Sequence, residues 1–555
     1  HGCRTRRVIF SRLKIKIRLK VNCYYKSFYR HGKIENINLK RKVDHRVKYG
    51  RRILFNMTKP SKEFIAVECQ IGNLSNIIYK NFYLFAQKKK FISHENAVQI
   101  PQNNSLYNVL IIGLDSISRL NLHRTLPKTV DYLKQLDAIE LLGYNKIGDN
   151  TFPNAVAILL GITENEMKHT CYPHSRAYFD NCPFVWEWYR QKGYFTAFGE
   201  DMKEGIFNYY KYKGFIDKPT DYYTHTFVYE SAVNNNITVK KRCQNGQHPH
   251  QMMLNYIVDL TTLLNADRLF GFFWESLISH DNLKDAKSLE TDYFNLFKRL
   301  NDSNYLNKSI VFFISDHGMR FGQYAKTPQG RMESRLPFVF ILTPQSFRNK
   351  YKEAYKNLMI NSKRLTTPLD LHETLMDLLT IKSITDSEII TRNNELNNGN
   401  KKGMTMFLPI PETRTCRSAG IEDTWCSCHN GKSLPVTEIK VLVAAEFMIK
   451  HLNEMLLTHY KCADLEISKV IDAIEIVTVY NSTDKLMRIV VEAKPGGGIF
   501  EGTLRRDDNK LWVIAGPINR LNLYGEEGFC VDDYHLKLYC YCDKTAEDET
   551  QTEVT

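Results

Sequence analysis

The chain of 555 residues is long enough for two to four domains, and its 43% hydrophobic and 25% charged residues are ordinary for a globular protein. No apolar run approaches the roughly 20 residues of a membrane-spanning helix, so the sequence predicts no transmembrane segment. The net charge of +15 suits an anionic partner such as nucleic acid, acidic glycan or a membrane surface, but no RNA- or DNA-binding motif accompanies it.

Residues 1–105 form a basic N-terminal module in which cysteines and aromatic residues are mixed and no clear period emerges. Lys and Arg are dense from residue 4 to residue 51, and we interpret this excess as a stem or a solvated face. The recorded chain starts at His1, so a signal peptide or a membrane anchor upstream of it is compatible with the sequence.

Thirteen cysteines accompany seven Asn-x-Ser/Thr acceptor sequences. Together they favour an oxidising compartment, so we expect a glycosylated protein that is extracellular or lies in the lumen of the secretory pathway. The acceptor asparagines are Asn56, Asn73, Asn103, Asn236, Asn301, Asn307 and Asn481.

Residues 106–410 alternate apolar strand-like runs with helical patterns. Unbroken apolar strands between helices predict an α/β domain with a mainly parallel sheet sandwiched by helices, and ligands bind such sheets outside the carboxyl ends of the strands. Residues 384–404 are poor in apolar residues and are expected to form an exposed loop. The runs are VLIIGL, AIELL, YFTAF, LFGFFW, SIVFFI and LPFVFIL, with helices expected around 124–134, 154–161, 184–192, 250–264, 287–300 and 369–380.

The remainder of the chain predicts a second, smaller domain. Residues 411–435 are a cysteine-rich connector, and residues 436–545 place one long helical pattern before several alternating strands. This α+β domain resembles a cystatin-type fold in element order alone, which predicts no inhibitor activity. Residues 546–555 form an acidic tail.

The cysteines are expected to form disulfides. Cys171 lies close enough in sequence to a neighbour such as Cys182 to bridge it. The odd number of cysteines leaves one thiol unpaired, unless its partner lies outside the recorded chain. Two Cys-x-Cys steps would suit zinc in a reducing cell but are expected here to be disulfide-bonded, namely Cys426/Cys428 and Cys540/Cys542.

Polar residues follow two of the predicted strands. Asp115 comes directly after VLIIGL, and Asp316 with His317 comes after SIVFFIS, while Thr151 lies at a loop-to-helix junction. Each has an ordinary alternative: Asp-Ser is a common turn or N-cap, and Thr-Phe-Pro-Asn is a common entry into a helix. Together at one sheet edge, two carboxylates, an imidazole and a hydroxyl are a ligand set for Zn²⁺ or another divalent cation.

Several ordered segments resemble the animal domain-of-unknown-function family 229, within the alkaline phosphatase/sulfatase superfamily. The resemblance implies an alkaline-phosphatase-like α/β fold, with Asp115, Asp316 and His317 as metal ligands. Thr151 matches the threonine nucleophile of nucleotide pyrophosphatases/phosphodiesterases, whose motif also reads Thr-Phe-Pro-Asn. The segments are GLDSISRLN, GDNTFPN, CPFVWEWYRQKGYFTAFGED, FFWESLISHDN, SDHGMRFG, ESRLPFVFIL, LDLHETLMDLL and RTCRSAGIEDTWCSC.

The chain departs from the two-metal members of that superfamily at one position. Those members carry an Asp four residues before a His, whereas Ser276 precedes His280 here, with Glu275 or Asp281 as the remaining acids nearby. The pattern is closer to phosphoethanolamine transferases, which resemble it in having one well-formed zinc site. We therefore expect one Zn²⁺, with His280 as an acid/base or substrate-binding residue. The alternative for His280 is an ordinary loop histidine whose hydrogen bonds are satisfied.

Further residues are expected to bind substrate at the same edge. Asn150 precedes the nucleophile, and Glu200 with Asp201 ends the strand-like run YFTAFG. CYPHSR, residues 171–176, has one residue too many for the Cys-x-Pro-x-Arg sequence of sulfatases, so sulfatase activity is not expected.

These features predict a metal-dependent hydrolase or transferase that acts on an anionic phosphate ester of a lipid, glycan or nucleotide, through a threonine nucleophile. The alternative is a catalytically inactive ectodomain that keeps the fold and binds a partner or glycan, which the incomplete second metal site favours. The survival of Asp115, Thr151, Asp316 and His317 favours the enzyme.

Overall fold

The computed structural model describes most of the two predicted domains and parts of the N-terminal module. The predicted acidic tail and the acceptor asparagines Asn56, Asn73, Asn103 and Asn481 lie outside the described residues. None of the helices described is both long and apolar enough to cross a membrane. The described residues are 21–31, 43–54, 62–71, 77–90, 106–174, 177–209, 212–237, 243, 247–395, 401–477, 486–507, 511–524, 526–531, 533 and 535–542.

The N-terminal module contains an antiparallel sheet with the order β2-β1-β4-β5, and β3 pairs with β1. A disulfide joins Cys23 of β1 to Cys69 of β4, which face each other in the ladder. The sheet packs on the larger domain through Phe28 and Phe82, which belong to one of its apolar clusters. The strands are β1 (Val21–Arg30), β2 (Val47–Tyr49), β3 (Ile53–Leu54), β4 (Phe64–Ile71) and β5 (Ile77–Leu84).

The central sheet has the order β10-β9-β11-β6-β12-β13-β7 among the described residues. Its strands from β10 to β12 run parallel, and β13 is antiparallel to both of its neighbours, β12 and β7. β8 and β14 form a separate parallel pair. The strands are β6 (Asn108–Leu114), β7 (Ile139–Glu140), β8 (Gly143–Tyr144), β9 (Phe195–Glu200), β10 (Tyr222–Tyr223), β11 (Leu269–Glu275), β12 (Ser309–Ile314), β13 (Val339–Leu342) and β14 (Leu365–Thr366).

Burial on both faces explains why the central strands are continuously apolar. Every residue of β6, β9, β11 and β12 is buried, as expected for parallel strands with helices above and below. Gly113 of β6 lets the ring of Trp274 lie against the backbone, because a Cβ there would fall 1.9 Å from the ring.

Two apolar clusters cover the two faces of the sheet. One includes residues of α3, α5 and α12, and the other includes residues of α2, α7 and α8. The predicted α/β domain with a mainly parallel sheet between helices is therefore confirmed. The helices are α1 (Arg119–Thr125), α2 (Pro127–Gln135), α3 (Thr151–Leu160), α4 (Glu164–Thr170), α5 (Val185–Gln191), α6 (His225–Asn235), α7 (Pro249–Leu263), α8 (Glu290–Asp302), α9 (Pro328–Arg335), α10 (Gln345–Lys350), α11 (Lys352–Asn361), α12 (Pro368–Leu379) and α13 (Asp386–Glu395).

The expected loop over 384–404 is wrong in its first half, because α13 spans Asp386–Glu395. Ile389 is buried in the apolar cluster of the main domain. Arg392 donates a hydrogen bond of 3.0 Å to the Asp377 carboxylate. One buried side chain and one tertiary ion pair hold a helix that its polar composition did not predict.

The C-terminal α+β domain is also confirmed. α14 (Ile439–Leu456) buries one face against an antiparallel sheet with the order β15-β16-β17-β18-β19, and β20 pairs with β18. β15 lies within the cysteine-rich segment and forms the edge of this sheet. The strands are β15 (Asn430–Ser433), β16 (Glu466–Val477), β17 (Leu486–Lys494), β18 (Gly498–Arg506), β19 (Trp512–Ile514) and β20 (Asn519–Arg520).

The expected disulfide between Cys171 and Cys182 is present. Both cysteines of the Cys540/Cys542 step are disulfide-bonded, as expected, and so is Cys426. The expectation is wrong for Cys428, whose thiol is exposed and free. The other disulfides described in this part of the chain are Cys416–Cys426, Cys462–Cys540 and Cys530–Cys542.

Candidate metal centre and active site

Two adjacent parallel strands bring the predicted acids together. Ile314 of β12 lies opposite Gly113 of β6, so Asp115 and Asp316 emerge at the same edge of the sheet, each two residues after the last paired position. Asp115, Asp316 and His317 are all buried. One potential ligand atom from each lies within 4.8 Å of those from the other two.

The imidazole of His317 presents a lone pair to the two carboxylates. Its Nδ1–H donates to the Gly318 carbonyl oxygen at 2.9 Å, which leaves Nε2 unprotonated in the neutral ring. Nε2 lies 3.1 Å from Asp316 Oδ2 and 3.8 Å from Asp115 Oδ1. Burial, and then the cations Arg320 and Lys146, hold the pKa of His317 well below its usual value, so the ring is neutral.

This arrangement fits a divalent cation. Within the described residues, His317 Nε2 and Asp316 Oδ2 are buried without a hydrogen-bond donor. Burial, and then the negative charge of Asp115, raise the pKa of Asp316, as expected where two carboxylates share one site. An acid oxygen and an imidazole lone pair that face each other without a donor, beside a second carboxylate, are the chemistry that a metal ion satisfies.

The turn after β6 orients both carboxylates. Ser116 has a positive φ of 64°, which is uncommon for a residue other than glycine and places two donors on the acids. Its N–H donates to Asp316 Oδ1 at 3.2 Å, and its hydroxyl donates to Asp115 Oδ1 at 2.9 Å. The strained turn therefore fixes the two side chains relative to each other.

Thr151 is the first residue of α3 and lies against the acid cluster. Its hydroxyl donates to Asp115 Oδ2 at 3.3 Å. Asn150 is the N-cap, with a side-chain oxygen that accepts from the Phe152 N–H at 3.2 Å. Because the N-terminal N–H groups of a helix favour negative charge, a group that Thr151 attacked would lie at the positive end of α3.

A cavity of about 320 Å³ opens over this cluster. Asp115 and Thr151 lie in its wall with each of the other residues predicted to act on substrate: Asn150, Glu200, Asp201 and His280. Asp316 and His317 lie beneath the wall. Aromatic and apolar side chains form much of the remainder, among them Phe152, Met202, Ile206, Tyr209, Tyr212 and Phe321.

His280 is about a third exposed, with its side chain 34% accessible. Its Nδ1 lies 2.6 Å from Asp281 Oδ1. Burial lowers the pKa of His280, but the negative charge of Asp115 and the hydrogen bond with Asp281 outweigh it and raise the pKa above its usual value. The ring is therefore suited to carry a proton in the cavity at neutral pH.

Glu200 and Asp201 are both buried in the cavity wall and differ in their partners. Asp201 Oδ1 accepts from the N–H groups of Ser276 at 2.8 Å and Leu277 at 3.2 Å, so it fixes the loop that leads to His280. Glu200 Oε1 accepts from the Ile206 N–H at 2.6 Å. Burial raises the pKa of Asp201 to about 7 and that of Glu200 to about 8.

A second metal site is not assembled from the two acids at and after the end of β11, Glu275 and Asp281. Glu275 is buried and accepts a hydrogen bond of 2.7 Å from the Tyr293 hydroxyl, whereas Asp281 pairs with His280. Across the described ranges, the other clusters of ligand-type side chains are cysteines, and all of these except Cys428 are disulfide-bonded.

A family model described as "Protein of unknown function (DUF229)" matches residues 3–471. The chain belongs to this family. The resemblance to family 229 predicted from the sequence segments is thus confirmed. A comparison with curated proteins gives no match.

Solved structures similar to the DUF229 protein come from bacteria and mouse. A protein in the alkaline phosphatase superfamily from Vibrio parahaemolyticus has a TM-score of 0.37 and 11% identity, and the match covers 80% of this chain and 87% of that one. The lipoteichoic acid synthase LtaP from Listeria monocytogenes has a TM-score of 0.36 and 13% identity, and the match covers 49% of this chain and 72% of that one. Murine ectonucleotide pyrophosphatase/phosphodiesterase 5 has a TM-score of 0.31 and 12% identity, and the match covers 49% of this chain and 95% of that one.

Two basic residues of the DUF229 protein at this edge were not singled out from the sequence. Arg320 lies in the cavity wall and donates to Asp149 Oδ2 at 2.7 Å, which orients the guanidinium beside the acid cluster. Lys146 is buried, with Nζ 2.9 Å from the Asp149 carbonyl oxygen and 4.2 Å from the Trp425 ring centroid, and burial lowers its pKa to about 7. Arg320 follows Asp316 by four residues, and that position in the motif was an available signal.

Asn154 is a further residue that sequence reasoning missed. Its Oδ1 accepts from the N–H groups of Ile147 at 2.9 Å and Gly148 at 3.3 Å. Its Nδ2 donates to the carbonyl oxygens of Gly148 at 3.1 Å and Asn150 at 2.8 Å. One buried amide therefore holds the loop that delivers Thr151.

Proposed function

We propose that the protein is a metal-dependent hydrolase or transferase that acts on a phosphate ester through Thr151. The observation that carries the proposal is the hydroxyl of Thr151, which lies 3.3 Å from Asp115 Oδ2 at the start of a helix. Thr151 and Asp115 lie in the wall of the cavity, and the buried Asp316 carboxylate and the unprotonated His317 Nε2 lie beside Asp115. A hydroxyl in this setting suits nucleophilic attack on an anionic centre.

The metal ligands we propose are Asp115, Asp316, His317 and Thr151. Two carboxylates with a neutral imidazole suit Zn²⁺, and the acids near His280 support one ion rather than two. Such an ion, when bound, lowers the pKa of the threonine hydroxyl and polarises a phosphoryl oxygen.

The residues of the chain then divide the reaction between them. Thr151 loses its proton to water in the cavity, its Oγ attacks phosphorus, and the leaving oxygen departs with the electrons of the broken bond. His280, whose raised pKa favours the imidazolium, donates a proton to that oxygen. Arg320 and the N–H groups of α3 stabilise the charge on the phosphoryl oxygens.

The second step regenerates the enzyme. Water or an acceptor hydroxyl attacks the phosphothreonine, His280 accepts its proton, and the bond between phosphorus and Thr151 breaks, after which Thr151 Oγ regains a proton from water in the cavity. Water gives hydrolysis, and an acceptor hydroxyl gives transfer. The substrate we propose is a phosphate-bearing lipid, glycan or nucleotide, with Asn150, Glu200 and Asp201 at its binding surface.

We also propose that the protein works in an oxidising compartment, either extracellular or in the secretory lumen. The disulfides of the described residues support this, since such bonds persist where thiols are not kept reduced. Asn236, Asn301 and Asn307 remain expected glycosylation sites.

Metal analysis with a parallel activity assay tests the function. Zinc would be measured by elemental mass spectrometry in the wild type, in Asp316→Ala/His317→Ala and in the exposed control Asp302→Ala, with turnover of bis(4-nitrophenyl) phosphate. About one zinc per chain, lost with activity only in the double variant, is the expected result. A folded, metal-free and inert wild type would instead favour the inactive ectodomain.

A further inference from the structure

The C-terminal domain forms part of the wall of the cavity. Leu523 and Tyr524 follow β20, and Lys537 lies on a short turn of 3-10 helix, Leu536–Leu538. All of them line the cavity that contains Thr151. The substrate-binding surface is thus shared between the α/β domain and a domain that carries none of the proposed catalytic residues.

The two domains contact each other directly beside the acid cluster. The N–H of Gly322 donates to the Leu521 carbonyl oxygen at 3.2 Å, which connects the loop of Arg320 to the segment of Tyr524. Burial lowers the pKa of Arg320, but the charges of Asp149 and then Tyr524 outweigh it and raise the pKa. Tyr524 and Arg320 also line the same cavity, so the C-terminal domain borders the space that contains the proposed phosphate-binding cation.

The segment that carries Lys537 is tightly braced. Disulfides join Cys530 to Cys542 and Cys462 to Cys540, on either side of the turn. Arg520 Nη1 donates to the Leu538 carbonyl oxygen at 3.0 Å. The backbone that presents Lys537 is therefore already ordered, so binding a ligand there requires no further ordering of the segment.

Apolar side chains on both sides of the cavity mouth face water. Leu523 is 71% exposed and Tyr524 38%, and Tyr209 of the α/β domain is 44% exposed in the same wall. Exposed rings and aliphatic groups at the rim of a polar pocket suit the apolar face of a ligand.

We infer that the C-terminal domain determines substrate specificity, with Leu523 and Tyr524 packing on a ring of the substrate and Lys537 binding a second anionic group beyond the phosphate. This inference rests on the proposed function for the identity of the scissile group. The substrate class is an aryl or sugar phosphate ester that carries another carboxylate, phosphate or sulfate.

Binding of non-hydrolysable phosphonates tests the inference. Calorimetry would compare phenylphosphonate with 4-carboxyphenylphosphonate and a longer carboxybiphenyl analogue, on the full chain. We expect the wild type to bind at least one carboxylated ligand about fivefold more tightly than phenylphosphonate, as one added charge pair suggests. Lys537→Met should abolish this preference, Lys537→Glu should reverse it and Lys537→Arg should keep it.

Two controls separate the roles. Lys432→Glu makes the same charge change as Lys537→Glu at an exposed residue of β15, in the sheet of the C-terminal domain, that does not line the cavity. This control should keep the preference for the carboxylated ligand. Tyr524→Ala should weaken binding of all three arylphosphonates alike. Equal preference in the wild type and Lys537→Met would overturn the inference, even if phosphate esters are turned over. Phosphonate binding with the expected preference, but without any turnover, would support the inference and contradict the proposed catalysis.

Discussion

The hydroxyl of Thr151 has a partner that an ordinary first residue of a helix lacks, the carboxylate of Asp115 at 3.3 Å. We expect Thr151→Ala to lower kcat about a thousandfold or more, because a covalent nucleophile has no substitute in the site. Thr151→Ser retains a hydroxyl at this position and should keep kcat within about tenfold. Initial rates on bis(4-nitrophenyl) phosphate measure both. A Thr151→Ala variant as active as Thr151→Ser would rule out this residue as the nucleophile.

The buried carboxyl group of Glu200 predicts how the stability of the folded protein depends on pH. Burial raises its pKa to about 8, whereas a free glutamate titrates near 4.3. Glu200 therefore keeps its proton in the folded protein where the unfolded chain releases it, so its contribution to stability is complete below about pH 4 and is lost as pH rises through 8. In Glu200→Gln the loss is absent, so the apparent Tm of the variant relative to the wild type should rise from pH 5 to pH 8.

Thermal unfolding at several pH values measures this difference. Glu388→Gln, which neutralises an exposed glutamate of α13, is the matched control and should follow the wild type at every pH. A constant offset between Glu200→Gln and the wild type would contradict a buried, protonated Glu200.

At the scale of elements, the loop before α3 depends on Asn154. Asn154→Ala removes the hydrogen bonds that its amide makes with two backbone N–H groups and two carbonyl oxygens. Each buried hydrogen bond that is lost lowers the free energy of unfolding by about 1 kcal/mol or more. We expect a lower Tm and a fall in kcat of about tenfold or more, since the loop positions the nucleophile. Asn393→Ala, an exposed substitution on α13, should change neither. Unchanged kcat in Asn154→Ala would show that the loop holds Thr151 without this clamp.

The central strands could be predicted from sequence because burial on both faces makes them continuous apolar runs. The same reasoning placed Asp115 and Asp316 at one edge, since parallel strands end together. The ion pair of Arg320 with Asp149 joins residues 171 positions apart, and no local pattern indicates such a partner. α13 was missed for the same reason, as its stability comes from Ile389 and tertiary contacts rather than from its composition.

At the scale of the whole molecule, a buried carboxylate joins the two domains. Glu501 of β18 accepts from Arg335 at 2.9 Å, and Arg331 and Arg488 lie 3.4 Å and 4.0 Å away. Arg335 belongs to α9, next to the motif of Asp316. Burial raises the pKa of Glu501, but the three guanidinium groups outweigh it and lower the pKa.

We expect Glu501→Gln to lower the free energy of unfolding by about 3 to 5 kcal/mol, because it leaves buried arginines without their counter-charge. Calorimetry should then resolve separate transitions for the two domains. Glu492→Gln breaks a partly exposed pair with Lys469 at 3.3 Å and should cost about 1 kcal/mol or less. A single unfolding transition at the Tm of the wild type in Glu501→Gln would show that this residue does not hold the two domains together.

The order of elements in the C-terminal domain could be read from the sequence, but its contribution to the cavity could not. Leu523, Tyr524 and Lys537 carry no motif, and they reach the cavity through the packing of one domain on the other. Docking of this kind depends on long-range contacts such as Gly322 with Leu521, which sequence periodicity does not encode.

The measurement that tests the central claim most directly is the identification of a phosphorylated residue during turnover. The wild type, loaded with Zn²⁺ and bis(4-nitrophenyl) phosphate, would be quenched in acid, digested and mapped by mass spectrometry, with Thr151→Ala treated in parallel. We predict a phosphoryl adduct that retains one 4-nitrophenyl group on Thr151 in the wild type and none in the variant. Turnover with no adduct on Thr151, or with an equal adduct elsewhere in both proteins, would contradict it.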